Sequence, residues 1–306
     1  MPSATISPPG SSLADPAALA LQAAVARVAA LDTPVLLWGE TGSGKDYWAE
    51  ALVQASPFRP LLNLGCGDVP ETLLESEWFG HRRGAFSGAD RDAVGKWRLA
   101  GNGTLFLNQI DLLSPAMQAK LLRAIERRKV YPLGSAEEVD IAARFLFSAG
   151  ADIEERVRRG EFRADLYYRV STVSIFLPPL RQRPADILPL LHRFCGEEGV
   201  ELALGDEARR LLLRYPWPGN VRELRNFVRG QAARGAALDD GAVRALLDRP
   251  GPMLDLLRSG ERTLAEVEAE YVAYLLRKYR NKSRVARILG ISRKSLYNMQ
   301  KRHERH

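Results

Sequence analysis

Residues 34–50 read PVLLWGETGSGKDYWAE. An apolar stretch of strand length, Val35-Leu36-Leu37-Trp38, runs into Gly39-Glu40-Thr41-Gly42-Ser43-Gly44-Lys45, and a helical pattern follows. The glycines let successive backbone N–H groups curl round a phosphate. The helix N-terminus adds positive potential, and Lys45 reaches the outer phosphates. The next position, ordinarily a Ser or Thr that ligates Mg²⁺, is Asp46. A plain glycine-rich turn is the competing reading, and the strand before it and the helix after it weigh against that. The candidate nucleotide-binding residues are therefore Gly39, Glu40, Thr41, Gly42, Ser43, Gly44, Lys45 and Asp46.

Outward from this loop, apolar runs alternate with helical patterns as far as Pro178, which implies a parallel sheet with crossover helices. Candidate strands are Pro34–Trp38, Thr104–Leu107, Ala143–Ser148 and Thr172–Leu177. The corner Leu177-Pro178-Pro179-Leu180 closes this region. Residues 184–248 read as helices only, and Arg249-Pro250-Gly251-Pro252 reads as a linker. The expected fold class is α/β, followed by a small helical lid and an all-α tail. The expected divisions are 1–14 (flexible tail), 15–180 (nucleotide-binding core), 181–248 (lid), 249–261 (linker) and 262–306 (tail domain).

With 306 residues, 46% of them hydrophobic, the chain can bury a core. Its two cysteines, Cys66 and Cys195, are too few for a disulfide framework and fit a reducing cytoplasm. The opening MPSATISPPGSS lacks the basic and apolar regions of a signal peptide. No apolar stretch is long enough to span a bilayer, so no membrane partner is expected. Charge is unevenly spread. The whole chain is +7, Val272–His306 is +10, and the remainder is therefore −3. A basic tail on a slightly acidic body points to nucleic acid, although a solvated basic helix would read the same on charge alone.

Four motifs carry a resemblance over nearly the whole chain. Gly84-Ala85-Phe86-Ser87-Gly88-Ala89 is preceded by Glu77-Trp78-Phe79-Gly80-His81-Arg82-Arg83. Gly103-Thr104-Leu105-Phe106-Leu107-Asn108-Gln109-Ile110 follows, then Gly160-Glu161-Phe162-Arg163-Ala164-Asp165-Leu166-Tyr167-Tyr168-Arg169, then Trp217-Pro218-Gly219-Asn220-Val221-Arg222-Glu223-Leu224. Together they resemble the bacterial enhancer-binding proteins, the AAA+ activators of sigma-54 RNA polymerase. The resemblance implies an AAA+ core, ATP and Mg²⁺ as cofactors, and a hexamer-like ring or a mixed ring with a related activator. It implies a sigma-54 contact through Gly84, Ala85, Phe86, Ser87, Gly88 and Ala89. It makes Arg163 and Arg169 arginine fingers acting on a neighbouring subunit's nucleotide, and Arg222 a lid group contacting nucleotide.

The chain departs from the family where water and the γ-phosphate are handled. The family strand ends in Asp-Glu, where the Asp helps hold Mg²⁺ and the Glu polarises the attacking water. Here Asn108 and Gln109 keep the shape without the charge, so Asp46 and Asn108 form a weak Mg²⁺ set. A neutral amide takes no proton at neutral pH, so general-base help of roughly 10²–10⁴-fold should be lost. A glutamine can still orient water. Gly65 stands where the family has a switch Asn, and Gly150 where it has an Asn that senses the γ-phosphate.

Residues 281–297, NKSRVARILGISRKSLY, resemble the Fis-type helix-turn-helix that ends this family. Gly290 suits the turn and Ser292 an N-cap, while Val285, Ala286, Leu289, Ile291 and Leu296 suit the buried contacts. Arg293, Lys294, Tyr297, Asn298 and Lys301 would then face double-stranded DNA, and pairing of such domains implies a two-fold-symmetric enhancer site. A cytoplasmic, nucleoid-associated bacterial protein is expected. With about 15 residues before the core, control is expected from a partner, from expression level or from nothing. Three readings stay open. They are an ATP-binding, oligomerising regulator that hydrolyses weakly or not at all, a working activator ATPase, and a DNA-binding protein whose AAA+ part is only an oligomerisation scaffold.

Overall fold

The computed structural model describes residues 16–67, 70–247, 263, 268, 271–272, 275–276, 281–293 and 295–297. The expected tail at 1–14 and linker at 249–261 lie outside the described residues, as do Lys294, Asn298 and Lys301. The chain forms two compact units, residues 1–243 and 244–306.

The first unit opens with α1 (Pro16–Ala29), β1 (Val35–Gly39), α2 (Lys45–Gln54), β2 (Leu61–Gly65) and α3 (Glu71–Phe79). A two-stranded ribbon, β3 (Gly80–His81) and β4 (Ala93–Val94), frames the GAFSGA segment, and α4 (Lys96–Leu99) follows. Next come β5 (Thr104–Asn108), α5 (Pro115–Arg127), the ribbon β6 (Lys129–Val130) and β7 (Val139–Asp140), and β8 (Arg144–Ala149). Then α6 (Ile153–Arg158), α7 (Ala164–Val170) and β9 (Val173–Leu177) complete the core. The main sheet is parallel throughout, in the order β2-β5-β8-β1-β9.

Both faces of this sheet are covered, which is why its strands read as nearly continuous apolar runs. Leu36, Leu64, Leu105, Leu107, Phe145 and Phe147 pack on one face with residues of α3, α5 and α7. Val35, Leu37, Phe106, Leu146, Ile175 and Leu177 pack on the other with α1 and α2. The four expected strands are present. A fifth, β2, was not expected, and it forms the sheet edge beside β5.

The lid contains α8 (Ile187–Glu198), α9 (Asp206–Arg214), α10 (Asn220–Ala232) and α11 (Asp240–Leu247). It is not made of helices alone. Leu202–Ala203 (β10) and Leu238–Asp239 (β11) pair in parallel, so the all-helical expectation is corrected at this point. In the second unit, α12 (Lys282–Ile288) is capped by Asn281, whose side chain accepts a hydrogen bond from Arg284 N at 3.1 Å. No helix among the described residues is long and apolar enough to cross a membrane.

One buried cation ties the first helix to the sheet. Arg144, at the start of β8, is fully buried and donates to the carbonyls of Ala29 (3.0 Å) and Val28 (2.7 Å). A cation at a helix C-terminus satisfies carbonyls that have no partner within the helix and meets the negative end of its dipole. Arg144→Met keeps the volume but orphans both carbonyls, and is expected to cost about 2 kcal/mol, read as a lower urea midpoint at unchanged m-value.

Candidate functional site

The phosphate loop follows from glycine placement. Gly42 has φ 76°, and a Cβ there would lie 2.4 Å from the Gly219 carbonyl oxygen, so the lid backbone approaches the loop more closely than any side chain allows. Lys45 Nζ donates to the carbonyls of Gly39 (2.8 Å) and Glu40 (3.1 Å), which holds it over the loop. Burial pushes its pKa down, Arg222 pushes the same way, and Asp111 and Asp46 oppose them. Beside the loop opens a cleft of about 450 Å³ whose lining includes Gly42, Lys45, Asp46, Asn108, Gln109 and Arg222. Thr41 and Gly44 line it too, so six of the expected nucleotide residues meet Asn108 and Gln109 there.

The two amides are wired into this edge. Asn108 Nδ2 donates to Asp46 Oδ1 at 2.6 Å, and the Ser148 hydroxyl donates to Asn108 Oδ1. Gln109, with φ 62°, donates its backbone N–H to Ser148 Oγ at 3.0 Å. Gly65 lies opposite Asn108 in the β2–β5 register. The residues fit a nucleotide through the loop N–H groups, Lys45 and Arg222. For Mg²⁺ they offer the Asp46 carboxylate and the Asn108 amide oxygen, so a bound ion would depend on phosphate oxygens and waters for its remaining ligands.

The lid is clamped onto the loop by residues that the motif reading passed over. Asn220 is fully buried, with φ 53°. It donates to Glu40 Oε2 (3.1 Å) and the Thr41 carbonyl (3.0 Å), and accepts from Leu180 N (2.7 Å). Arg181 grips both oxygens of Glu40, and Arg183 donates to the Ser43 carbonyl at 2.6 Å. The signal was present in sequence as the Asn of WPGNVRE.

Arg163 and Arg169 are exposed on α7 and its N-cap and are absent from the lining of the cleft. Arg163 pairs with Asp165 at 2.7 Å. The GAFSGA segment closes on itself through Gly84 N to Ala89 O (2.8 Å) and Ala89 N to Phe86 O (3.0 Å). Phe86 is half-buried with its ring edge-on to His81 at 5.0 Å, and Ser87 is exposed. In the second unit, Val285, Ala286 and Leu296 are buried with Val272 and Leu275, and Leu289 and Ile291 pack against them. Ser292 Oγ accepts from Ser295 N at 3.0 Å, the expected cap, and Arg293 and Tyr297 are exposed.

Residues 13–176 match the sigma-54 interaction domain, 181–238 an AAA+ ATPase lid domain, and 263–301 the Fis-family bacterial regulatory protein helix-turn-helix. The chain belongs to the AAA+ enhancer-binding protein family. It is 42% identical over 235 residues to a Nif-specific regulatory protein of Azospirillum brasilense, covering 75% of this chain and 37% of that one. It is 40% identical over 294 residues to the C4-dicarboxylate transport regulatory protein DctD of Pseudomonas aeruginosa, covering 92% and 62%. It is 40% identical over 309 residues to ZraR of Salmonella typhimurium, covering 97% and 69%. The chain thus spans little more than a third of the Azospirillum regulator's length. NtrX of Brucella abortus in complex with ADP superposes with a TM-score of 0.70 at 24% identity, over 95% of this chain and 69% of that one. NtrX in complex with ATP superposes at 0.69 and 25% identity, over 97% and 69%.

Within this family fold, the Glu40 clamp carries a pH signature. The hydrogen bonds from Arg181, above all, hold the Glu40 carboxyl below its ordinary 4.5. Its stabilisation is therefore complete above about pH 4.5 and is lost as pH falls through the lowered folded value. Glu40→Gln is expected to lower stability by about 1 kcal/mol at pH 7, because the pair is partly exposed. That gap should close in melts run progressively below pH 4.5.

Proposed function

We propose that this chain is a DNA-bound regulator of sigma-54 RNA polymerase. On this reading it binds ATP, assembles into a ring through its AAA+ part, and hydrolyses ATP slowly or not at all. Residues 15–180 would be the nucleotide-binding core, 181–248 the lid, and 262–306 the part that pairs on a two-fold-symmetric enhancer site. GAFSGA would meet sigma-54, with Arg163 and Arg169 reading the neighbouring subunit's nucleotide. Arg293 and Tyr297, with Lys294, Asn298 and Lys301, would meet DNA. A bacterial cytoplasm, close to the nucleoid, is the setting this requires.

The observation that carries the reading is the Asp46–Asn108–Ser148 chain beside an intact phosphate loop. Lys45, the loop amides and the clamped lid supply binding and positioning. A bound ATP would supply the phosphoanhydride. The two side chains at the end of β5 supply shape and hydrogen bonds but no negative charge, so they neither take a proton from water nor add to the ligand charge of a cation.

Steady-state turnover over a range of protein concentrations tests this, with Asn108→Asp/Gln109→Glu as the comparison. The expected outcome is a wild-type rate near background that the double variant raises by roughly 10²-fold or more. A clear wild-type rate that climbs with concentration would sink the reading in favour of a working activator. A second outcome follows from geometry. Asn108→Asp alone puts two carboxylates at hydrogen-bond distance where the amide now donates. Without divalent cation it should melt below wild type, and millimolar Mg²⁺ should restore most of the loss.

A further inference from the structure

The end of β8 holds a carboxylate pair that the function above leaves unused. Gly150 follows Ala149, whose partner across the sheet is Trp38, so it lies at the level of Gly39. Gly39 is the residue whose carbonyl accepts from Lys45 Nζ. A Cβ on Gly150 would lie 2.6 Å from Asp152 Oδ1 and 3.1 Å from Asp111 Oδ2. The side-chain space at this position is therefore filled with carboxylate oxygen, from the turn after β5 on one side and the start of α6 on the other. Gly65 provides the contrast within the same site, because nothing lies within 4 Å of its Cβ position. One glycine leaves open space, and the other has had its space reoccupied.

The two carboxylates differ. Asp152 accepts from Arg156 Nε at 2.9 Å and so carries its own counter-charge. Asp111 Oδ1 is buried and accepts no hydrogen bond from any described residue. The cations that feel its charge are Lys45 at the phosphate loop and Arg156 on α6. A buried carboxylate oxygen without a donor costs stability, and such costs persist where a site uses them.

We propose that Asp111 is the catalytic carboxylate of this site, taking the proton of the attacking water that Gln109 is unable to take. The proposal rests on the nucleotide-binding reading and names the group through which residual turnover runs. In the step, the water oxygen bonds to the γ-phosphorus. The bond from that phosphorus to the β–γ bridging oxygen breaks, with its electron pair leaving on ADP. The water's proton passes to Asp111.

The test compares the full-length chain with Asp111→Asn, Gly150→Asn and Gly65→Asn. It measures ATP turnover with Mg²⁺, the Kd of a fluorescent ADP analogue, and melting of the nucleotide-free protein. Asp111→Asn is expected to lower turnover roughly tenfold or more, to leave the Kd unchanged, and to melt at or above wild type. Gly150→Asn, although it restores the family residue, should push both carboxylates aside and lose turnover, melting below wild type. Gly65→Asn should melt as wild type does. The proposal is overturned if Asp111→Asn turns over at the wild-type rate, or if it loses nucleotide binding and melts low, or if Gly150→Asn raises the rate. A wild-type rate at buffer background would also overturn it while leaving the proposed function standing. A fast wild-type rate that is insensitive to Asp111 would overturn both.

Discussion

The constraint on which the rest depends is the parallel register of the five-stranded sheet. Because every strand runs the same way, their C-terminal ends share one edge, and Gly39, Gly65, Asn108, Ala149 and Leu177 end up in a row. A ligand site forms outside the carboxyl ends of strands in such sheets. Strand ends that lie far apart in the chain, Gly39 and Leu177 among them, become neighbours through the backbone ladder itself. The burial of both faces fixes this register. A one-residue slip of β5 would exchange Phe106 for Leu105 and Leu107 between two packed layers.

Nucleotide binding on this edge is inseparable from lid position. The Gly42–Gly219 approach puts the lid backbone against the phosphate loop, and the Val221 amide donates to the Gly42 carbonyl at 3.0 Å. Asn220 spans both parts in three hydrogen bonds while holding a left-handed backbone angle. Strain of that kind is retained when the surroundings over-determine it. The loop is thereby bonded to the start of α10, which carries Arg222 at its first turn.

Much of this was legible in the sequence because the deciding residues are locally encoded. The loop glycines, the Fis-type turn at Gly290 and the Ser292 cap are each read within a few positions of themselves. β2 was missed because its apolar run is short, is interrupted by Asn63, and lies between Pro60 and the glycines at 65 and 67, which read as breakers. The short β10–β11 pairing joins segments more than thirty residues apart and leaves no local period. The contact of Phe86 with His81 is a matter of how the ribbon folds back and leaves no local pattern either. Asp111 left no mark at all. Its interest comes from Gly150, thirty-nine positions away and just past the end of β8.

The Asn108 substitution also changes what the site needs in order to be stable. With a carboxylate at 108, the Asp46 contact would bring two negative charges together, a repulsion on the order of a few kcal/mol near a protein surface unless a cation bridges them. The amide removes that need. It donates to Asp46 and accepts from Ser148, so both ends of its side chain are satisfied by the chain itself. The Asp46–Asn108–Ser148 contact is then hydrogen-bonded whether or not a divalent ion is bound. Among the described residues, one oxygen of Asp111 lies buried without a donor close to this edge, and a carboxylate there keeps a negative charge of the kind that Asn108 and Gln109 lack.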